Sequence, residues 1–246
     1  MAKAGRIVEE VLQLMQRMVR PGVTTLELDA AAEDLIRSRG AEPSFLNYRG
    51  YPKSICTSVN EQVVHGIPGK RKLLDGDIVS VDVGAFINGW HGDAARTFFV
   101  GAVAPEVQEL VRVTRECFYE GLKQAYPGRR LYDISAAVQA HAESHGYGVV
   151  RELVGHGIGR QMHESPDVPN FGRPGHGIRL EAGMTLAVEP MINLGGAAVE
   201  VLSDGWTVVA RDKKPSAHYE NTFAITEDGP LLLTLSEPEY GPEVGS

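Results

Sequence analysis

The chain has 246 residues, enough to bury a substantial core, either as one α/β domain or as two. Lys+Arg 24 against Asp+Glu 32 leave a formal net charge of -8, which excludes the broad basic footprint of a nucleic-acid binder. Cys56 and Cys117 are too few for a disulfide framework and lack CxxC spacing, and no apolar run approaches the roughly 18 residues of a membrane span, so a protein of the reducing cytoplasm is expected.

Ile7, Val8, Val11, Leu12, Met15 and Val19 recur at three- and four-residue spacing, which predicts a helix that Pro21-Gly22 stops. Thr24 and Glu27 form a capping box that opens a second helix running to Gly40. The same device returns later. A helical pattern from Val107 to about Ala125 meets Pro127-Gly128, and another helix runs from Leu131 towards His145-Gly146.

Strands repeat in the same order. Gly76-Asp77 precedes IVSVDVG and Gly183-Met184 precedes TLAVEPM, so Asp82 and Glu189 each fall six residues after a glycine. Each strand leads towards a turn followed by tryptophan, Asn88-Gly89-Trp90 and Asp204-Gly205-Trp206, and an HGI tripeptide at His65 and His156 precedes each strand. The order implies a duplicated α/β domain with halves of about residues 1–104 and 105–235, a site at their junction, and an acidic tail at about 236–246.

If Asn88-Gly89 is a two-residue hairpin turn, Ile87 pairs with Trp90, Gly84 faces Asp93 and Asp82 faces Ala95. Side chains alternate along a strand, so Asp82 and Asp93 share one face as diagonal neighbours. Asp82 sits among Val79, Val81 and Val83, where an ionised carboxylate needs a partner: a cation, or a salt bridge to a group such as Arg96. Glu189 in LAVEPMI and Glu220 in HYENTFAI pose the same problem. Four facing acids repel, which favours bound cations, and His156 in GHGIG with His163 in MHESP adds imidazole suited to Zn, Fe, Co or Mn.

The tracts YRGYPKSIC, VNEQVVHGIP, SVDVGAFINGWHGDAART, GHGIGRQMHESP, AVEPM, LSDGWTVV and YENTFAIT resemble those of type I methionine aminopeptidases of the M24 family, in the short bacterial form, over about residues 45–226. The resemblance implies the pita-bread fold: a pseudo-twofold α/β domain with an antiparallel sheet backed by helices. It implies a hydrolase that removes the amino-terminal methionine from nascent polypeptides near the ribosome when the second residue is small. Two divalent ions (Co, Mn, Fe or Zn) would activate a bridging water or hydroxide. Asp82 would hold one ion, Asp93 and Glu220 would bridge both, and His156 and Glu189 would complete the second. The catalytic residues by resemblance are Glu189 as proton shuttle, His163 on the substrate carbonyl and His65 near the scissile nitrogen.

The methionine pocket by the same resemblance is Phe45, Tyr48, Tyr51, Cys56, Met162 and Trp206, with His65 and His163 at its edge; aromatic rings and sulfur suit a thioether. Met162 stands where relatives often carry an aromatic residue. No Cys/His-rich extension precedes the first helix, and only 25 residues separate His163 from Glu189, which leaves no room for the insertion of the type II enzymes. A proline-specific aminopeptidase, expected to need a further N-terminal domain, and a non-enzymatic binding module on the same fold are the alternatives. A monomer that binds neither nucleic acid nor membrane is expected.

Overall fold

The computed structural model describes residues 1–234, so the expected acidic tail lies outside the described residues. Among the described residues four α-helices form: α1 (Ala2–Met18), α2 (Thr25–Ser38), α3 (Pro105–Leu122) and α4 (Leu131–Ser144). The strands are β1 (Glu42–Pro43), β2 (Ile55–Val59), β3 (Gln62–Val64), β4 (Ile78–Ile87), β5 (Trp90–Phe99), β6 (Gly148–Val149), β7 (Gly155–Gly157) and β8 (Glu164–Val168). They continue as β9 (Thr185–Val188), β10 (Met191–Asn193), β11 (Val199–Val201), β12 (Val208–Ala210), β13 (Ser216–His218), β14 (Glu220–Thr226) and β15 (Gly229–Leu232). Among the described residues no helix is long and apolar enough to cross a membrane.

The main sheet is antiparallel, in the order β1-β4-β5-β14-β9-β7-β8, with β2 also on β4 and β15 also on β14. Two small sheets, β13-β10-β6 and β11-β12-β3, complete the frame. The two helix pairs bury separate cores. Ile7, Val8, Val11, Leu12 and Met15 of α1 join Leu28, Ala32 and Ile36 of α2 over Val79, Val81 and Val83 of β4. In the other half, Leu110, Val113 and Cys117 of α3 join Val138 and Ala142 of α4 over Ile192 and Ala217, while Phe118 packs with Leu186 and Phe223. α1 lies almost against the backbone of β5: a Cβ on Gly92 would meet the Gly5 nitrogen at 2.9 Å, and one on Gly5 would strike the Leu233 carbonyl oxygen at 1.8 Å, so both positions need glycine.

The capping box forms as expected. Thr24 Oγ1 accepts from the Glu27 N–H at 3.2 Å and the Thr24 N–H donates to Glu27 Oε2 at 2.7 Å. Thr24→Ala is expected to lower unfolding free energy by about 1 kcal/mol, read as a lower denaturant midpoint at unchanged slope.

The β4–β5 hairpin has the expected register: Ile87↔Trp90, Gly84↔Asp93 and Asp82↔Ala95. Asn88 and Gly89 both take positive φ, 54° and 81°, the requirement of a two-residue turn whose twist matches its strands. The second half departs from this plan. β9 stops at Val188 because Pro190 has no N–H to give the ladder, and β10 to β13 intervene before the next acid-bearing strand, β14. The Asp204-Gly205 turn therefore joins β11 to β12 in a small sheet, not two acid-bearing strands.

Candidate metal centre and substrate pocket

Cross-strand register brings the acids together. Cys56 on β2 pairs with Asp82 on β4, Asp82 with Ala95 on β5, and Ala95 with Glu220 on β14. The two acids thus flank a methyl group in one row across the sheet, and Asp93 lies two residues along β5 on the same face. On the other flank, β9 pairs with β14 and β7 with β9, His156 standing opposite Ala187. Glu189 follows β9 directly, two residues from Ala187. His156 Nε2 lies 3.7 Å from Asp93 Oδ2 and 3.8 Å from Glu189 Oε1. Its Nδ1 is 2.8 Å from the Gly157 carbonyl, so that nitrogen donates and Nε2 is left with its lone pair facing the acids. Small residues are obligatory here, because a Cβ on Gly155 or Gly157 would strike backbone oxygens of Ala187 or Ser165.

Beside this face the expected pocket residues form one cluster: Phe45, Tyr51, Cys56 and Met162, with Tyr48, Trp206 and Ile67 packed against it. Tyr51 donates its hydroxyl hydrogen towards the Ile55 and Gly66 carbonyls and meets Trp206 edge-on at 5.1 Å. Burial, reinforced by Asp82, pushes the Cys56 thiol up, so it is a neutral apolar wall. His163 stands at the rim. Its ring stacks on Tyr48 at 5.2 Å, its Nδ1 is 2.9 Å from the Tyr48 hydroxyl, and its ring centroid is 4.2 Å from that of His156. Desolvation first, then nearby His156 and Arg49, pushes His163 down to about 3, so the imidazole is neutral. His65 has a positive φ of 58° and faces Trp206 edge-on at 6.4 Å. A left-handed non-glycine residue is strained, which is common where a side chain must be aimed.

The acids are out of balance without a cation. Burial raises Asp82, Asp93, Glu189 and Glu220 alike; Asp93 reaches about 7, and the neighbouring carboxylates add to Asp82 and Glu220. Asp82 Oδ1, Asp93 Oδ1, Glu220 Oε1 and His218 Nε2 are buried without a hydrogen-bond partner. Arg96 does not relieve Asp82 Oδ1. Its guanidinium donates to the Glu220 carbonyl at 2.6 Å and Asn221 Oδ1 at 2.8 Å, and lies over the Tyr219 ring. Ligand atoms of Asp93, His156 and Glu220 fall within 4.8 Å of one another, as do those of Glu189, His218 and Glu220. Oxygen-rich donors with imidazole, orphaned and facing one another, fit divalent metal.

The family model of metallopeptidase family M24 matches residues 1–227. The chain belongs to metallopeptidase family M24. A methionine aminopeptidase of Clostridium perfringens is 56% identical over 235 residues, covering 96% of this chain and 94% of that protein. The structure of methionine aminopeptidase from Rickettsia prowazekii matches with a TM-score of 0.94 at 45% identity over 95% of each chain. Prolidase from Pyrococcus furiosus matches with a TM-score of 0.76 at 23% identity, covering 96% of this chain and 63% of that one, a likeness of fold alone. The architecture of this M24 chain is the pita-bread fold expected from its motifs.

The site of this M24 chain also contains a residue that the motif reading passed over. His218 Nε2 lies 3.6 Å from Glu189 Oε2 and 3.9 Å from Glu220 Oε2. Burial pushes His218 down to about 3, so it is a neutral imidazole against two acids. Thr97 grips its backbone on both sides, accepting from the His218 N–H at 3.0 Å and donating to its carbonyl at 2.9 Å. Its position two residues before Glu220 was the available signal, since alternate residues of an extended segment share a face.

Proposed function

We propose that this chain is a metal-dependent aminopeptidase that releases the amino-terminal methionine of nascent proteins and peptides when the second residue is small. It acts as a monomeric cytoplasmic enzyme on chains emerging near the ribosome. The observation that carries this reading is the Cys56–Asp82 pair, which joins an apolar pocket of side-chain size to the acid row with no residue between them. Burial of a methionine side chain there contributes about 1.5–3 kcal/mol, and an ion held by Asp82 would take the free α-amino group. Both features select the first residue of a chain.

In this reading Asp82, Asp93, His156, Glu189 and Glu220 would hold two divalent ions, of Co, Mn, Fe or Zn. When bound they supply the positive charge that makes water a competent nucleophile near neutral pH and polarises a carbonyl. Glu189 takes the proton of the attacking water and delivers it to the leaving nitrogen. His163, with the Tyr48 hydroxyl donating to its Nδ1, carries its hydrogen on Nε2 and donates it to the carbonyl oxygen as charge develops. His65 stands by the scissile nitrogen, and His218 places a neutral imidazole beside Glu189 and Glu220. Phe45, Tyr48, Tyr51, Cys56, Met162 and Trp206 enclose the methionine side chain and exclude water from it.

Incubation with Met-Ala-Ser is expected to release free methionine, while Ala-Pro-Ala stays intact. The reverse preference would reject the substrate assignment in favour of a proline-specific peptidase.

A further inference from the structure

On the helix pair α3–α4 a second group of metal-binding side chains comes together. His141, in the last turn of α4, and His145, at its C-terminal cap, are four residues apart, and their rings face each other at 4.7 Å. Glu116 reaches across from α3, its Oε2 3.0 Å from His141 Nε2. One ligand atom from each of the three lies within 4.8 Å of the others. None of them belongs to the acid row or the pocket, and Glu116 and His141 are only half-buried while His145 is exposed.

The local bonding prepares these atoms for an ion. His145 Nδ1 is 2.9 Å from the His141 carbonyl and 3.2 Å from the Ser144 hydroxyl. A carbonyl only accepts, so Nδ1 carries the hydrogen and Nε2 keeps its lone pair, the arrangement that orients a ligating imidazole. Arg112 is bound to the other carboxylate oxygen of Glu116, Oε1, which fixes the carboxylate and leaves Oε2 towards the histidines. Two ligands of one tetrahedral ion with bonds of about 2.0–2.2 Å lie roughly 3.3–3.6 Å apart, so His141 Nε2 and Glu116 Oε2, now hydrogen-bonded at 3.0 Å, need to part by only a few tenths of an ångström to share an ion. Two imidazoles and one carboxylate suit a borderline ion such as Zn²⁺ better than Mg²⁺ or Ca²⁺, which take oxygen.

We propose that Glu116, His141 and His145 form a separate site for a zinc-like divalent ion, with solvent in its remaining positions, that ties the last turn of α4 to α3. The site is independent of the peptidase reading.

Calorimetric titration of the full chain with Zn²⁺ tests this. Wild-type protein is expected to bind one more ion per chain than the H141A/H145A double variant, both hydrolysing the methionyl tripeptide equally. Zn²⁺ is expected to raise the thermal midpoint of wild type by more than that of the variant, and E116Q is expected to bind the additional ion more weakly. Equal stoichiometry in wild type and the double variant would overturn the proposal, and unchanged affinity in E116Q would remove Glu116 from it. Loss of peptidase activity in wild type would leave this count unaffected, so the two readings fail separately.

Discussion

Replacement of His163 by alanine is expected to lower kcat on Met-Ala-Ser by about 10²–10³-fold, the usual loss when one donor to a developing oxyanion is removed. The argument rests on the ring's position and charge state. His163 is neutral, at about 3, and stacked on Tyr48 at the pocket rim, with Nδ1 engaged by the Tyr48 hydroxyl; in the proposed tautomer the opposite nitrogen carries the hydrogen. A ring centroid 4.2 Å from that of His156 places it beside the proposed ligands, not among the orphaned acids. Bound metal should therefore survive the substitution while turnover collapses. Steady-state kinetics paired with metal analysis of the same preparation separates the two, and a parallel loss of metal would move His163 into the ligand set. Tyr48→Phe removes only the hydroxyl that sets the tautomer, and a smaller loss in kcat is expected.

Glu189→Gln is expected to lower kcat by about 10²–10⁴-fold, the range for removal of a general base. The substitution keeps the shape of the side chain and removes both its charge and its capacity to take a proton. Glu189 sits where those properties matter, because His156 faces Oε1 and His218 faces Oε2, and it is the one acid of the four that begins beyond the end of its strand. The measurement is single-turnover hydrolysis at saturating metal, which compensates for weakened coordination by the amide. Wild-type rates under those conditions would assign the proton transfer to another group.

Much of this was legible before any coordinates, where local rules decide the structure. The capping box at Thr24 and Glu27 and the Pro-Gly breaks defined the helix pairs, and Asn88-Gly89 set a hairpin register that put Asp82 and Asp93 on one face. The pocket residues, scattered from Phe45 to Trp206, were read only through the family motifs, yet they pack as one cluster. What stayed hidden depends on contacts distant in sequence. The row Cys56–Asp82–Ala95–Glu220 crosses four strands, and no local pattern announces that Ala95 is the small residue between two acids. TLAVEPM reads as one continuous strand, but Pro190 interrupts it and four strands intervene before Glu220. His218 is part of the site because β13 and β14 run on through Tyr219 with Thr97 clamping the backbone, a packing consequence that the single letter H does not carry.

The central claim is that the acid row works by holding divalent metal against the methionine pocket. Protein freed of metal by exhaustive chelation and then assayed on Met-Ala-Ser tests it most directly. Hydrolysis is expected to fall to background and to return on addition of Mn²⁺ or Co²⁺, with wild-type stoichiometry regained as activity returns. Full activity in protein shown by elemental analysis to contain no metal would contradict the account.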